Sequence, residues 1–145
     1  MKKREILKQN ISNHLMMNGN KRTSEKVLLK TLKSLQKSQS KKNFESLVKT
    51  SLINSSPLLY VKQIKRKRKR TFEFPFLLSL RLKISYAAKF LILNSRKKKV
   101  KSFYKNFHTE LINSSRKESL SVKQKTDLHE DGFKIRKFAR YRWFK

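Results

Sequence analysis

The chain contains no cysteine. That excludes disulfides and thiolate metal centres, and it fits a reducing compartment without requiring one. Only two glycines occur in 145 residues, so no glycine-rich loop can cradle a phosphate. Asp and Glu together number 9, too few and too scattered for the carboxylate cluster of a metal-assisted nuclease. The only adjacent acids are Glu130 and Asp131. His14, His108 and His129 share no ligand spacing. On a helix Glu110 would point away from His108, two residues before it. A long apolar run is missing too. The most apolar stretch, Phe72 to Asn94, is broken by Arg81, Lys83 and Lys89, and a cation central to a membrane span costs about 3 kcal/mol. The opening residues MKKREILKQN are charged where a secretory signal needs an apolar segment. The expectation is a protein with no enzymatic activity, no cofactor, no metal site and no membrane partner.

What is present is positive charge. Lys and Arg number 39, for a formal net charge of +30, and the isoelectric point is near 10.9. Hydrophobic residues make up 37%, below the usual range of about 45–50% for globular chains. Self-repulsion opposes compaction at this charge, and the modest apolar content limits what a core can offset. A polyanion answers both problems, and nucleic acid is the default polyanion. The length suits one domain, residues 1–145, with one modest core. Without its partner the chain is expected to be partly unfolded at low salt and to gain helix on binding RNA.

Apolar spacing predicts mainly helix. A first helix over 4–18 carries Ile6, Leu7, Ile11, Leu15 and Met16 on one stripe, with Gly19 placed as a left-handed cap. A second, over 22–37, has Thr23 or Ser24 as N-cap and Val27, Leu28, Thr31, Leu32 and Leu35 inward. A third, over 42–54, shows Phe44, Leu47, Val48, Ser51 and Leu52 at helical spacing and is stopped by Pro57. Residues 58–64 and 71–76 alternate as strands. They predict a β-hairpin over about 58–76 with six consecutive cations, Lys65 to Arg70, at its tip. No Gly, Asn or Asp is available there for a tight turn. A fourth helix over 78–94 turns Leu80, Ile84, Ala87, Ala88, Leu91 and Ile92 inward, with Asn94-Ser95 ending it. A fifth over 98–113 buries Val100, Phe103, Tyr104, Phe107 and Leu111. A sixth runs from about Leu120 to Phe138, weakened by about 1 kcal/mol at Gly132. The fold class is therefore a bundle of about six helices with a projecting basic hairpin between the third and fourth.

Three basic segments carry the chemistry. The hairpin run Lys65, Arg66, Lys67, Arg68, Lys69 and Arg70 would neutralise phosphates and release counterions. A bland reading of it is a targeting signal or a solvated charge run. The cluster Arg96 to Lys101 is expected at the start of the fifth helix, where its charges oppose the helix dipole and a partner phosphate would offset them. The tail, residues 136–145, alternates cations and rings, so that rings can stack on bases while cations hold phosphates. Phe138 reads better as a packing residue, and for Trp143 packing and stacking are balanced.

At two places the residues resemble a known family. The stretch NHLMMNGNKRTSEK, Asn13 to Lys26, resembles the N-I-L-M-x-x-G-K-K-S/T-x-A-E signature of the bacterial-type ribosomal protein seven of the small subunit. Leu15, Met16, Gly19, Lys21, Thr23 and Glu25 fall in place. SVKQKTDLHEDGFKIRKFARYRW, Ser121 to Trp143, is similar without a gap to that family's ending, through Val122, Lys123, Asp127, His129, Phe138, Ala139, Tyr141, Arg142 and Trp143. SPLLYVKQIKR and the later FEFP resemble its hairpin. The chain departs from the pattern at Lys67 to Arg70, where the family has a Gly-Gly tip, at Ile135 in place of Asn, and at Asp131-Gly132 within a helical stretch.

The resemblance implies six helices with a projecting hairpin, the count also read from periodicity. It implies binding to the 3′ major domain of small-subunit rRNA, nucleation of head assembly, and a position near the exit-site tRNA and the mRNA path. The implied neighbours are the small-subunit proteins numbered nine and eleven, with no homo-oligomer. The residues expected to meet RNA are Lys21, Arg22, Lys62, Lys65 to Arg70, Lys97, Lys98, Arg140, Tyr141, Arg142 and Trp143. Abundant Lys, Asn, Ser, Phe, Leu and Ile suit an AT-rich genome. The family pattern begins close to Met1, which is read as leaving no room for a transit peptide. Both favour a mitochondrion-encoded protein, with a plastid or bacterial cytoplasm as alternatives. A basic helical DNA-binding protein is the alternative function.

Overall fold

A computed structural model describes residues 2–38, 44–65, 71–98 and 102–141. The elements follow in the expected order: α1 (Lys2–Leu15), α2 (Lys21–Ser38), α3 (Phe44–Ser55), β1 (Leu59–Lys65), β2 (Thr71–Leu77), α4 (Leu80–Lys97), α5 (Phe103–Ser115) and α6 (Leu120–Lys134), then a 3-10 turn, Arg136–Tyr141.

The apolar stripes meet around α5, which packs against α2, α3, α4 and α6. Leu28 and Leu35 from α2, Leu47, Val48 and Leu52 from α3, Ala87, Ala88, Leu91 and Ile92 from α4, and Phe107 and Leu111 from α5 form one buried cluster, joined by Ile11 and Leu15 of α1. Val100 and the side chains of Ile6, Leu7 and Phe44 lie outside the described residues. The core is short of carbon and uses serine. Ser51, Ser55 and Ser114 are fully buried, and their small side chains let α3 and α5 approach. Burying a hydroxyl is unfavourable unless it is bonded. Here Ser55 and Ser114 bond each other at 2.7 Å, and Ser114 donates to the Ser51 carbonyl at 3.0 Å. Ser95 donates back to the Leu91 carbonyl at 2.6 Å. Among the described residues no buried side-chain nitrogen or oxygen lacks a partner.

Helix ends depart from the expectations. α1 stops at Leu15, and Met16 is exposed in a turn where Asn18 and Gly19 take φ of 49° and 74°. Asn20, rather than Thr23 or Ser24, caps α2. Its Oδ1 accepts from the Thr23 amide at 3.3 Å, while Ser24 is buried against Ser12 at 3.1 Å. Asn94-Ser95 does not end α4. Asn94 is buried and donates to Ser121 Oγ and Gln124 Oε1, both at 3.1 Å, so the helix continues to Lys97. Leu80, expected inward, is 79% exposed, and Arg81 and Leu82 beside it in the first turn of α4 are exposed too. α6 ends at Lys134. The chain then tightens into the 3-10 turn, with the Phe138 amide on the Ile135 carbonyl at 3.0 Å.

The hairpin pairs Leu59 with Leu77 through Lys65 with Thr71 in continuous antiparallel register. A two-stranded ribbon has no central strand, so Pro75 is tolerated opposite Val61. Its base is fastened to the bundle. Tyr60 packs on Tyr86 of α4 with centroids 5.6 Å apart, and Phe74 meets Phe138 edge-on at 5.9 Å. The Leu58 amide donates to His129 Nε2 at 3.0 Å. Leu59 presses on α6 at Gly132, where a Cβ would lie 2.5 Å from Leu59 Cδ1. The glycine that weakens α6 by helix propensity is thus the one that admits the hairpin.

Candidate nucleic-acid interface

The expected RNA-facing residues fall into two groups. The first forms where α1 meets α4. The Arg96 guanidinium donates to the Leu15 carbonyl at 3.1 Å, so it both caps α1 and holds the end of α4 beside the turn leading into Lys21 and Arg22. Lys97 is exposed in the last turn of α4, and Lys21 and Arg22 are exposed in the first turn of α2. The second group forms at the hairpin base. Lys62 is exposed on β1, and exposed Arg140 lies in the 3-10 turn that packs on β2. Lys65 closes the described ladder opposite Thr71. Arg66 to Arg70, Arg142, Trp143 and the side chains of Lys65 and Tyr141 lie outside the described residues.

The dipole argument for the cluster after residue 95 is reversed. Arg96 and Lys97 sit at the C-terminus of α4 rather than at the start of α5, which begins at Phe103. Cations there are favoured by the helix dipole, so Arg96 and Lys97 need no phosphate to offset a misplaced charge. Lys98 is drawn into the fold. Its ammonium lies 2.7 Å from Glu110 Oε2, and Glu110 is fully buried. The other Glu110 oxygen accepts from Ser121 Oγ at 2.7 Å and from the Ser121 amide at 3.4 Å. One carboxylate therefore ties the end of α4 to α5 and to the start of α6. Lys125 does similar work, donating to the Asn54 carbonyl at the end of α3 at 3.0 Å. Burial and the nearby Lys117 lower its pKa.

Reading local segments missed these internal roles of Glu110, Arg96 and Lys125, because each partner is distant in sequence. It also stopped at Arg22 on α2, although Lys26, Lys30, Lys33 and Lys37 continue at helical spacing on exposed positions. That periodicity was available. Like-charged neighbours three or four residues apart destabilise a helix by about 0.2–0.5 kcal/mol each.

The three histidines are engaged within the fold. His14 Nε2 lies 2.6 Å from Ser85 Oγ, and His108 Nε2 lies 3.0 Å from Ser38 Oγ. His129 Nε2 accepts a backbone amide. All three have pKa values lowered by burial, with Lys89 adding to the effect at His14 and Lys125 at His129. Among the described residues no group of three His, Asp or Glu could hold a metal ion, and no helix is long and apolar enough to cross a membrane. A cleft of about 650 Å³ between the hairpin and α6 carries Glu73, Asp127 and Asp131. Its carboxylates make it unsuited to phosphate.

The model of the family described as ribosomal protein S7p/S5e matches residues 1–132. Curated relatives named small ribosomal subunit protein uS7 align along most of the chain. The protein from Chlamydia caviae is 29% identical over 90% of this chain and 83% of its own length. That from Blochmanniella pennsylvanica is 30% identical over the same shares. That from Dehalococcoides mccartyi (strain CBDB1) is 26% identical over 95% of this chain and 87% of its own.

Proposed function

The chain belongs to the ribosomal protein S7p/S5e family, a structural component of the small ribosomal subunit and not an enzyme, and from that premise we propose that it works by binding small-subunit rRNA. The observation that carries the RNA reading is the gathering of exposed cations at the α1–α4 contact and at the hairpin base on a chain of net charge +30. Phosphate contacts position a protein, and A-form RNA is recognised by shape. Lys21, Arg22, Lys62, Lys97 and Arg140 take the phosphates in this reading. The run Lys65 to Arg70 and the ending Tyr141, Arg142 and Trp143 are assigned to RNA on their sequence alone.

The finer assignments belong to the same proposal. The RNA is the 3′ major domain, binding there nucleates the subunit head, and the protein lies near the exit-site tRNA and the mRNA path. Small-subunit proteins nine and eleven are the neighbours. The compartment proposed is a mitochondrion, supported by the AT-rich bias of the composition, while the relatives above are bacterial.

The test is a salt titration of binding to the transcribed 3′ major domain, with duplex DNA as competitor. About eight phosphate contacts give a log–log slope of roughly −6 to −7. The expected result is that slope, preference for the RNA, and sedimentation of the protein with small subunits from the organelle. Equal affinity for duplex DNA and no sedimentation with subunits would instead favour a DNA-binding protein.

A further inference from the structure

The outward face of α2 carries a single sign of charge along its length. Arg22, Lys26, Lys30, Lys33 and Lys37 follow at intervals of four, four, three and four residues, which places them within an arc of about 80° on an α-helix. The buried residues of the same helix, Ser24, Leu28, Thr31 and Leu35, occupy the opposite side. All five cations are exposed. None has an ion-pair partner among the described residues, and the helix's one acid, Glu25, lies off the stripe, 3.9 Å from Lys21. The line of charge is about 22 Å long. At about 3.4 Å of duplex axis per phosphate of one strand, it passes about six phosphates.

We propose that α2 is a separate rRNA contact, lying lengthwise along the backbone of a double-helical segment and recognising its shape. The proposal rests on the RNA-binding reading above and adds a surface to it. A face shaped for solubility alone mixes signs. Here like charges face each other along the helix, and a polyanion beside them removes the repulsion. A protein partner fits less well. Protein interfaces centre on aromatic and aliphatic anchors, and the stripe has no ring and only Leu29 beside it.

Since the chain has no cysteine, single variants Lys30→Cys and Lys62→Cys can each carry a tethered iron chelate that cuts nearby RNA sugars. The probe is the full-length chain on transcribed small-subunit rRNA. Lys30→Cys is expected to cut a run of about six nucleotides, matching the length of the stripe. The quadruple variant K26Q/K30Q/K33Q/K37Q should lower the salt slope by about 3–4 with helicity unchanged. A charge-matched control, K49Q/K89Q/K105Q/K123Q, should lower it less. Cuts from Lys62→Cys with none from Lys30→Cys overturn the α2 contact and leave RNA binding standing. So do equal slopes in the two quadruple variants. Loss of a neighbouring protein with the RNA slope intact assigns the stripe to that protein and also overturns it. No cuts from either position, with a flat salt dependence for the unaltered chain, overturn RNA binding itself.

Discussion

Replacing Glu110 tests whether a buried carboxylate organises the end of α4. Glu110→Ala removes an acceptor that two donors reach at 2.7 Å, Lys98 Nζ and Ser121 Oγ, with the Ser121 amide at 3.4 Å. Hydrogen bonds to a charged group contribute about 1.5–3 kcal/mol each. Two effects act the other way. The desolvation penalty of the carboxylate disappears with it, and the Lys98 side chain, 31% exposed, can turn to water. The net loss should be about 2–4 kcal/mol, the lower part of the range because the pair is not fully enclosed. Glu110→Gln keeps an acceptor for Ser121 but presents an uncharged amide to Lys98, and should lose about 1–2 kcal/mol. Both substitutions alter net charge equally, so their difference is independent of global repulsion. The assay is urea unfolding followed by circular dichroism at high salt, where that repulsion is screened. A cycle with Lys98→Met should give a coupling energy above about 0.5 kcal/mol. Values for both single variants within about 0.5 kcal/mol of the unaltered chain, with no coupling, would refute the reasoning.

Two further outcomes follow from the packing. Gly132→Ala gains about 1 kcal/mol of helix propensity, but its Cβ would meet Leu59 Cδ1 at 2.5 Å and Cδ2 at 2.9 Å, and overpacking costs about 1–3 kcal/mol. A net loss near 1 kcal/mol is expected from urea midpoints, and the same change in a Leu59→Ala background should be stabilising; stabilisation in both backgrounds would show that Leu59 yields freely. The three histidines have pKa values below the ordinary 6.5, chiefly through burial, so the unfolded chain binds more protons than the folded one. Stability of the RNA-free protein should therefore be full above about pH 6.5 and fall as pH drops through that value. His129→Gln should shallow the decline, and unfolding midpoints that are flat or rise on acidification would contradict the burial of the rings.

Periodicity in the sequence determined which segments are helices, their order, and where the hairpin interrupts them. A stripe such as Leu47, Val48, Ser51 and Leu52 can be buried only by a helical turn, and the alternating rings of TFEFPF suit a strand, although β2 is only half-buried on both faces; that information is local. Charge also pointed to a polyanionic partner. Tertiary structure decided where the helices end, because several residues compete to stop each one. Asn94 reads as a terminator until Ser121 and Gln124, far along the chain, bind its amide inside a continuing helix. The fold alone likewise decided which cations have a partner within the chain. Arg96, Lys98 and Lys125 look like their neighbours in sequence, yet they satisfy a helix carbonyl, a buried carboxylate and another helix carbonyl. The physical reason is that a side chain's partner is set by proximity in space, whereas a local pattern specifies only direction around an axis.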